Sequence, residues 1–188
     1  MTGNIHTGHH DLDENGLSPE IEGYINQSCE WVQSHMGVPG SVLDAGCDYG
    51  HALKVWRDRG VFTLKGIELY AEKNPYKFDI SRESLEDPLL PAKLKHTRYD
   101  LVFVNHVLEH LYNPYTFLKS LNELKPKYIY IAVPHSKDPW GLWEGHYTIW
   151  TPEWLEHFMN LNGWKQIAGA EMVLRPAHTE IWGLFECI

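Results

Sequence analysis

The chain lacks the signals of several protein classes. Its longest apolar run, at residues 128–133, is far too short to span a bilayer. Its N-terminus has no basic segment followed by an apolar one, which a secretory signal would need. Basic residues are outnumbered by acidic ones, 16 to 25, so the formal net charge is −9. Broad nucleic-acid-binding surfaces are basic, and this balance therefore counts against nucleic acid as a partner.

Cysteine is scarce as well. The three cysteines, Cys29, Cys47 and Cys187, lack the spacing of a metal site and cannot all pair with one another. Reduced thiols are typical of the cytosol, so we predict a cytoplasmic protein with no membrane association and no metal site. At 188 residues the chain is long enough for one complete core and too short for two ordinary domains. We predict a flexible tail over residues 1–17 and a single domain over residues 18–188.

The polar tail contains three of the twelve histidines, His6, His9 and His10. A mobile tail is the simplest interpretation. A flap over a bound ligand and an adventitious metal site are the alternatives. After the tail, apolar residues recur at helical spacing, which predicts an amphipathic helix that begins at Pro19 and ends near Met36.

The stretch that organises the chain is the run SVLDAGCDYG at residues 41–50. Its apolar start and the helical pattern after it predict a buried strand, a tight loop, and a helix whose first amides point at a ligand. A dinucleotide-binding loop has glycine at its first, third and sixth positions. Counted from Gly46, those last two positions hold Asp48 and His51. Carboxylates at Asp44 and Asp48 would repel a pyrophosphate and favour a positively charged ligand, such as an ammonium or a sulfonium.

This run resembles the first motif of class I S-adenosylmethionine-dependent methyltransferases, which usually have glycine where this chain has Asp48. The resemblance implies an α/β fold with a Rossmann-like, mostly parallel sheet of seven strands. Helices would cover both faces, and the last strand would be antiparallel. The resemblance also implies that Asp44, Gly46, Asp48 and Gly50 hold the methionine end of S-adenosylmethionine.

The predicted second strand ends in Glu68, whose two oxygens match the vicinal hydroxyls of a ribose. The resemblance assigns ribose binding to this residue. A third strand is predicted at residues 76–80, and the chain before it is shorter than the dozen or so residues that a parallel crossover usually needs. We therefore predict that the helix between these strands is lost or cut to one turn near residues 72–75. By resemblance, Asp79 and Ile80 contact the adenine.

A fourth strand is predicted at residues 99–105, followed by HVLEHL at 106–111 and NP at 113–114. This run resembles the post-strand motif of a methyltransferase subgroup that acts mostly on small molecules. The resemblance implies that Asn105 and His106 lie beside the sulfonium. HVLEH also fits the His-x-x-Glu-His pattern of some zinc peptidases. That chemistry needs a continuous helix and a third ligand, whereas His106 directly follows the predicted strand.

The fifth strand is predicted at residues 128–134, and the segment after it, 135–150, is rich in aromatic residues. Such a segment beyond a strand end indicates a wall for a planar or apolar acceptor. A loop folded onto the core by its own tryptophans is the alternative. The run GHYTIWTPEWL at 145–155 resembles the element at the same place in the subgroup. Residues 164–174 and 179–188 are predicted as two closing strands, an antiparallel pair by resemblance.

The resemblance implies methyl transfer from S-adenosylmethionine to an oxygen or nitrogen atom of a small-molecule acceptor by in-line displacement. Such a reaction depends on positioning and desolvation, and needs a base only when the acceptor must lose a proton. His146, and after it His110, are the candidate bases, because the pKa of histidine suits proton removal near neutrality. A methyltransferase for nucleic acid or protein, and a non-catalytic protein that binds only the cofactor or a partner, remain as alternatives.

Overall fold

The structure, a computed structural model, describes residues 19–70, 74–94, 98–139, 145–175 and 178–188. In chain order the strands are β1 (Ser41–Ala45), β2 (Thr63–Ile67), β3 (Ile80–Ser81), β4 (Leu101–Asn105), β5 (Tyr128–Pro134), β6 (Trp164–Arg175) and β7 (His178–Cys187). The helices are α1 (Pro19–Met36), α2 (His51–Asp58), α3 (Leu90–Leu94), α4 (Pro114–Leu124) and α5 (Pro152–Leu161). A 3₁₀ turn spans Leu108–His110.

The strands of the described ranges form one sheet in the order β3-β2-β1-β4-β5-β7-β6. β1 lies parallel to β2 and β4, and β5 lies parallel to β4. β7 is inserted between β5 and β6 and is antiparallel to both. The predicted Rossmann-like, mostly parallel sheet with an antiparallel last strand is therefore confirmed. The strand order reverses between β1 and β4, and such sheets bind ligands beyond the carboxyl ends of the strands at that point.

Each face of the sheet packs against helices in its own apolar core. Along β4, Leu101 and Phe103 belong to the core that includes buried side chains of α1 and α2. The alternate residues, Val102 and Val104, belong to the core that includes buried side chains of α3, α4 and α5. Side chains of a strand alternate between its two faces. This double burial explains why β4 reads in the sequence as a continuous apolar run.

The crossover from β2 to β3 is short, as the sequence predicts. Its described residues, 68–70 and 74–79, contain no helix. Residues 71–73 lie outside the described part of the chain, and so does part of the single turn predicted near 72–75. A hydrogen bond joins the two ends of this crossover, since the backbone N–H of Gly66 in β2 donates to the carbonyl of Asp79 at 2.8 Å.

The third strand differs from its prediction at residues 76–80. Only Ile80 and Ser81 pair with β2, so the strand begins later and is shorter. The side chain of Asn74 accounts for the difference, because it engages both backbone groups of Phe78. Its Oδ1 accepts from the Phe78 N–H at 3.0 Å, and its Nδ2 donates to the Phe78 carbonyl at 2.7 Å. These contacts pair the backbone of Phe78 with the side chain of Asn74 instead of with a neighbouring strand.

The first helix begins and ends where the sequence predicts, and its buried face carries Ile25, Cys29 and Val32. The predicted flexible tail at residues 1–17 lies outside the described part of the chain. It stays a prediction, as does a single domain over residues 18–188. In the described ranges, every helix is too short or too polar to cross a membrane.

The packing of α4 makes a direct test of the core. Phe117 is fully buried against the sheet, whereas Tyr115 on the same helix is 56% exposed. We expect Phe117→Ala to lower the free energy of unfolding by about 3–5 kcal/mol, because it leaves a cavity in the core. The matched control Tyr115→Ala should change it by no more than about 0.5 kcal/mol. Urea unfolding measures both, and an equal loss in the two variants would contradict this packing.

Candidate functional site

The loop from β1 to α2 has a backbone that only glycine adopts easily at two positions. Gly46 and Gly50 have φ angles of 79° and 84°, in the left-handed region. A Cβ on Gly46 would collide with the side chain of Val107, and one on Gly50 would lie 3.1 Å from Cδ2 of Phe78. No side chain in the described ranges caps the amino end of α2. Its first backbone amides therefore remain available to an anionic group.

Three carboxylates meet at the tips of β1 and β2. Glu68 accepts a hydrogen bond from the backbone N–H of Asp48 at 3.1 Å through Oε2, and from that of Tyr70 at 3.1 Å through Oε1. Each carboxylate oxygen keeps a further lone pair for another donor. Asp44 is only 3% exposed, and its Oδ2 has no hydrogen-bond partner among the described residues.

The environment of Asp44 disfavours its charged form. Burial, together with the neighbouring charges of Glu68 and Asp48, raises the pKa of Asp44 to about 8. Like charges held this close repel one another, and a cation between them would relieve that repulsion. The structure thus brings together Asp44, Gly46, Asp48, Gly50 and Glu68, the residues expected to hold the methionine end and the ribose.

The two residues predicted to contact adenine are placed differently from each other. Ile80 lies beside the glycine loop. A Cβ placed on Gly66 would lie 3.1 Å from Cγ1 of Ile80, and one placed on Gly50 would lie 3.8 Å from its Cδ1. Asp79 precedes β3, and its carboxylate, 70% exposed, lies 2.8 Å from the ammonium of Lys65. The structure brings Ile80 to the loop and places Asp79 in a surface ion pair.

At the end of β4, His106 lies between two buried carboxylates. Its Nδ1 is 3.0 Å from Oε1 of Glu109, and its Nε2 is 2.7 Å from Oε1 of Glu180. Both carboxylates are 1% exposed. Burial lowers the pKa of His106, but the charges and hydrogen bonds of Glu180 and Glu109 outweigh it and raise that pKa well above its usual range. With a carboxylate at each nitrogen, the ring is an imidazolium that donates twice.

Asn105 is joined to the same cluster through α1. The hydroxyl of Tyr24 lies 2.7 Å from Oδ1 of Asn105 and 3.0 Å from Oε2 of Glu180. The indole N–H of Trp182 donates to that same Oε2 at 2.8 Å. Burial raises the pKa of Glu180, but His106 and the surrounding hydrogen bonds outweigh it and hold that pKa below its usual range. Glu180 is therefore an ionised centre that binds α1, β4 and β7 together.

A second imidazole, that of His178, continues this cluster away from His106. His178 places Nε2 3.2 Å from Oε1 of Glu180 and Nδ1 3.0 Å from Oδ2 of Asp138. The backbone N–H of Thr179 also donates to that oxygen of Asp138, at 2.6 Å. We call the set Glu109, His106, Glu180, His178 and Asp138 the buried polar network. Sequence reasoning missed Glu180, although an acid at the start of a strand that is otherwise apolar, EIWGLF, was a usable signal.

The two candidate bases lie side by side. The rings of His110 and His146 have centroids 4.7 Å apart and meet edge to face at 76°. Nδ1 of His110 lies 3.1 Å from the carbonyl oxygen of Gly145. Backbone contacts hold the two segments, since the N–H of Tyr147 donates to the carbonyl of Glu109 at 2.6 Å.

The aromatic segment after β5 divides between surface and core. Trp150 is 2% exposed and belongs to the core beneath α4 and α5. This placement agrees with the alternative in which the loop is folded onto the core by its own tryptophans. Tyr147 is 43% exposed and stacks on Tyr112 with ring centroids 3.9 Å apart. Trp140 and Trp143, also expected in an acceptor wall, lie outside the described residues.

Comparison with known proteins agrees with this architecture. A family profile described as a methyltransferase domain matches residues 28–171. No curated protein matches the chain. The fold is shared with the 1,6-didemethyltoxoflavin-N1-methyltransferase of Burkholderia thailandensis, solved with 1,6-didemethyltoxoflavin and S-adenosylhomocysteine. That likeness has a TM-score of 0.72 at 16% identity and covers 88% of this chain and 79% of that one.

Two further solved structures have the same fold. One is a SAM-dependent methyltransferase from Archaeoglobus fulgidus, with a TM-score of 0.68, 15% identity, and coverage of 88% of this chain and 94% of that one. The other is the magnesium protoporphyrin IX methyltransferase of Synechocystis PCC 6803 with bound SAH, with a TM-score of 0.65, 15% identity, and coverage of 90% and 84%. Since the family profile spans most of the chain and includes the glycine loop, β2 and the turn after β4, the chain belongs to the methyltransferase domain family.

Proposed function

We propose that the protein transfers a methyl group from S-adenosylmethionine to an oxygen or nitrogen atom of a small molecule. The observation that carries the proposal is the meeting of Asp44, Asp48 and Glu68 around the uncapped amino end of α2. An amino-acid end group offers a carboxylate to the helix amides and an ammonium to the acids. Two of the solved relatives in fold were crystallised with S-adenosylhomocysteine, which has the same amino-acid and ribose groups.

The electrostatics of the site favour a cationic donor. Asp44 is buried beside two other acids and lacks a partner for Oδ2 among the described residues, so it gains from a positively charged ligand. At the end of β4, one imidazolium, His106, is placed between two carboxylates, Glu109 and Glu180. That group has more negative than positive charge, which suits a neighbouring sulfonium. The positions of Asn105 and His106 beside the sulfonium stay part of this proposal.

The proposed reaction is a single displacement. The acceptor lone pair forms a bond to the methyl carbon while the carbon–sulfur bond breaks, and its electrons neutralise the sulfonium. An oxygen acceptor also loses its proton. His106 is occupied at both nitrogens, so we assign that proton to His146, with His110 beside it as the second candidate.

A small-molecule acceptor is favoured over a nucleic acid by the net charge of −9. The exposed, stacked pair of Tyr112 and Tyr147 offers a flat apolar surface near the two histidines. A fold relative acts on 1,6-didemethyltoxoflavin, a small molecule. A cytoplasmic location stays a prediction from the sequence.

Binding of S-adenosylmethionine should release a proton. The pKa of Asp44 is about 8 in the free protein, so this carboxyl is mostly protonated at pH 7, and a bound cation would ionise it. Affinity should therefore rise from pH 6 to about pH 8 and fall at higher pH, where the ligand's own ammonium, with a pKa of about 8, loses its proton. Calorimetry in buffers of different ionisation enthalpy measures the proton. Asp44→Asn should bind more weakly and without the rise between pH 6 and pH 8.

Two outcomes would contradict that assignment. One is a wild-type affinity that does not change between pH 6 and 8, with no proton released. The other is micromolar binding of NAD with no binding of S-adenosylmethionine, which would refute the methyl-donor site as a whole.

Glu68 tests the ribose assignment. We expect Glu68→Ala to weaken binding of S-adenosylhomocysteine by roughly 100-fold or more, because two hydrogen bonds to a charged acceptor contribute about 1.5–3 kcal/mol each. Glu123→Ala, an exposed acid on α4, is the matched control and should leave the affinity unchanged. Unchanged affinity in Glu68→Ala, with the variant folded by circular dichroism, would show the ribose assignment to be wrong.

His146 tests the fate of the acceptor proton. Once a screen of small hydroxyl and amine compounds has identified an acceptor, His146→Ala should lower kcat by about 10²–10⁴-fold. Affinity for S-adenosylmethionine should stay unchanged, since the residue lies on the acceptor side. Full turnover in this variant would remove His146 from the reaction. A screen in which only nucleic acid or protein is methylated would overturn the small-molecule proposal.

A further inference from the structure

Three side chains with metal-binding atoms meet just beyond the carboxyl end of β4. Glu109 and His110 belong to the 3₁₀ turn, and His146 lies in the segment that precedes α5. One ligand atom from each residue lies within 4.8 Å of the other two. We propose that Glu109, His110 and His146 form a binding site for a divalent first-row transition-metal ion. Nothing in the proposed methyl transfer is needed for this site to bind its ion.

The carboxylate of Glu109 has one oxygen to spare. Its Oε1 is occupied by Nδ1 of His106 at 3.0 Å. Its Oε2 is buried and has no hydrogen-bond partner among the described residues. Buried carboxylate oxygens are normally hydrogen-bonded or bound to a cation, because burial without a partner is costly. A metal ion at Oε2 would supply the missing partner.

The tautomer of His110 is set by its neighbour. Its Nδ1 lies 3.1 Å from the carbonyl oxygen of Gly145. A carbonyl only accepts, so Nδ1 carries the proton, and in the neutral ring Nε2 presents a lone pair. Histidines that bind metals typically donate their other ring N–H to a carbonyl or carboxylate in this way, which orients the ring and fixes the tautomer.

The second imidazole has a position suited to the same ion. The rings of His110 and His146 lie edge to face with centroids 4.7 Å apart. Two ligand atoms of one tetrahedral zinc ion, with bonds of 2.0–2.2 Å, lie about 3.3–3.6 Å apart. Side-chain rotations that bring the ligand atoms together by about 1.5 Å or less would close the site. Two hydrogen bonds hold the segments at this spacing. The backbone N–H of Tyr147 donates to the carbonyl of Glu109, and the side-chain hydroxyl of Thr148 donates to the carbonyl of Leu108.

This donor set differs from the zinc-peptidase pattern in HVLEH. That pattern would use both histidines of the motif on one helix, whereas here the motif spans a bend and a 3₁₀ turn. His106 has both nitrogens engaged by carboxylates and is not a ligand. The site instead pairs Glu109 and His110 with the distant His146. Cysteine spacing, on which the expectation of no metal was based, carries no information about such a site.

Two imidazoles and a carboxylate suit Zn²⁺, Mn²⁺, Fe²⁺ or Co²⁺ and leave coordination positions open for water or another oxygen ligand. If the proposed methyl transfer holds, an acceptor oxygen bound there would lose its proton more easily. A ring nitrogen bound to the ion cannot also accept the acceptor proton, so with the ion bound that proton would pass to water. The effect of His146→Ala on turnover would then arise through loss of the metal.

Direct metal binding tests the site without donor or acceptor. The tail histidines could bind metal by themselves, so the reference protein carries His6→Ala, His9→Ala and His10→Ala in the full chain. After removal of metals with a chelator, Co²⁺ is titrated with visible absorption as the readout, and Zn²⁺ and Mn²⁺ by calorimetry. We expect one ion per chain for at least one of these metals.

Single substitutions then locate the ion. In the reference protein, Glu109→Gln, His110→Ala and His146→Ala should each weaken binding by at least about tenfold. His157→Ala, an exposed histidine on α5, should leave it unchanged. If Glu109→Gln unfolds, His146→Ala decides, since its side chain lies outside the helices and strands.

The proposal is overturned if no metal binds at one ion per chain, or if binding survives all three substitutions. S-adenosylmethionine affinity, measured on the same metal-free protein, separates this failure from failure of the proposed function. Loss of the donor site would leave metal binding intact, and loss of the metal site would leave donor binding intact.

Discussion

The burial of Asp44 beside two other acids, at the tips of β1 and β2, is the constraint around which the site is built. Asp44 lies at 3% exposure beside Glu68 and Asp48, and its pKa rises to about 8 as a result. The glycine loop that follows Asp44 is closely packed. A side chain at Gly46 would collide with Val107, and one at Gly50 would lie close to Phe78. Strained or electrostatically unfavourable groups of this kind persist where a ligand relieves them.

The buried polar network joins the ends of β4 and β7. Its two imidazoles alternate with three carboxylates, from Glu109 through Glu180 to Asp138. Removing Glu180 would leave the imidazolium of His106 without one of its two compensating carboxylates. The network also fixes the position of α1, because the hydroxyl of Tyr24 lies within hydrogen-bonding distance of Asn105 and Glu180. The helix before the first strand is thereby fixed against the ends of β4 and β7.

The sequence predicts what is locally determined. The helical spacing of apolar residues predicts the bounds of α1, and a continuous apolar run predicts those of β5. Both predictions are correct because the residues of each element determine which of its faces are buried. Resemblance to the methyltransferases supplies the seven-stranded, mostly parallel sheet with its antiparallel last strand, which no local pattern contains. The third strand was misplaced because Asn74 withdraws Phe78 from the sheet through side-chain hydrogen bonds. The assignment of Asp79 to the adenine pocket stays a prediction, and the structure adds its ion pair with Lys65. Contacts such as His106 to Glu180 join residues far apart in the chain and have no signature in a single sequence.

We propose that the carboxyl ends of β1 and β2 hold a charged nucleoside with its ribose on Glu68. A crystal structure with S-adenosylhomocysteine bound tests it most directly. We expect both ribose hydroxyl oxygens to lie about 2.5–2.8 Å from the Glu68 carboxylate. We also expect the amino-acid carboxylate of the ligand to lie at the amino end of α2. A ligand bound elsewhere, or a ribose out of hydrogen-bonding reach of Glu68, would contradict it.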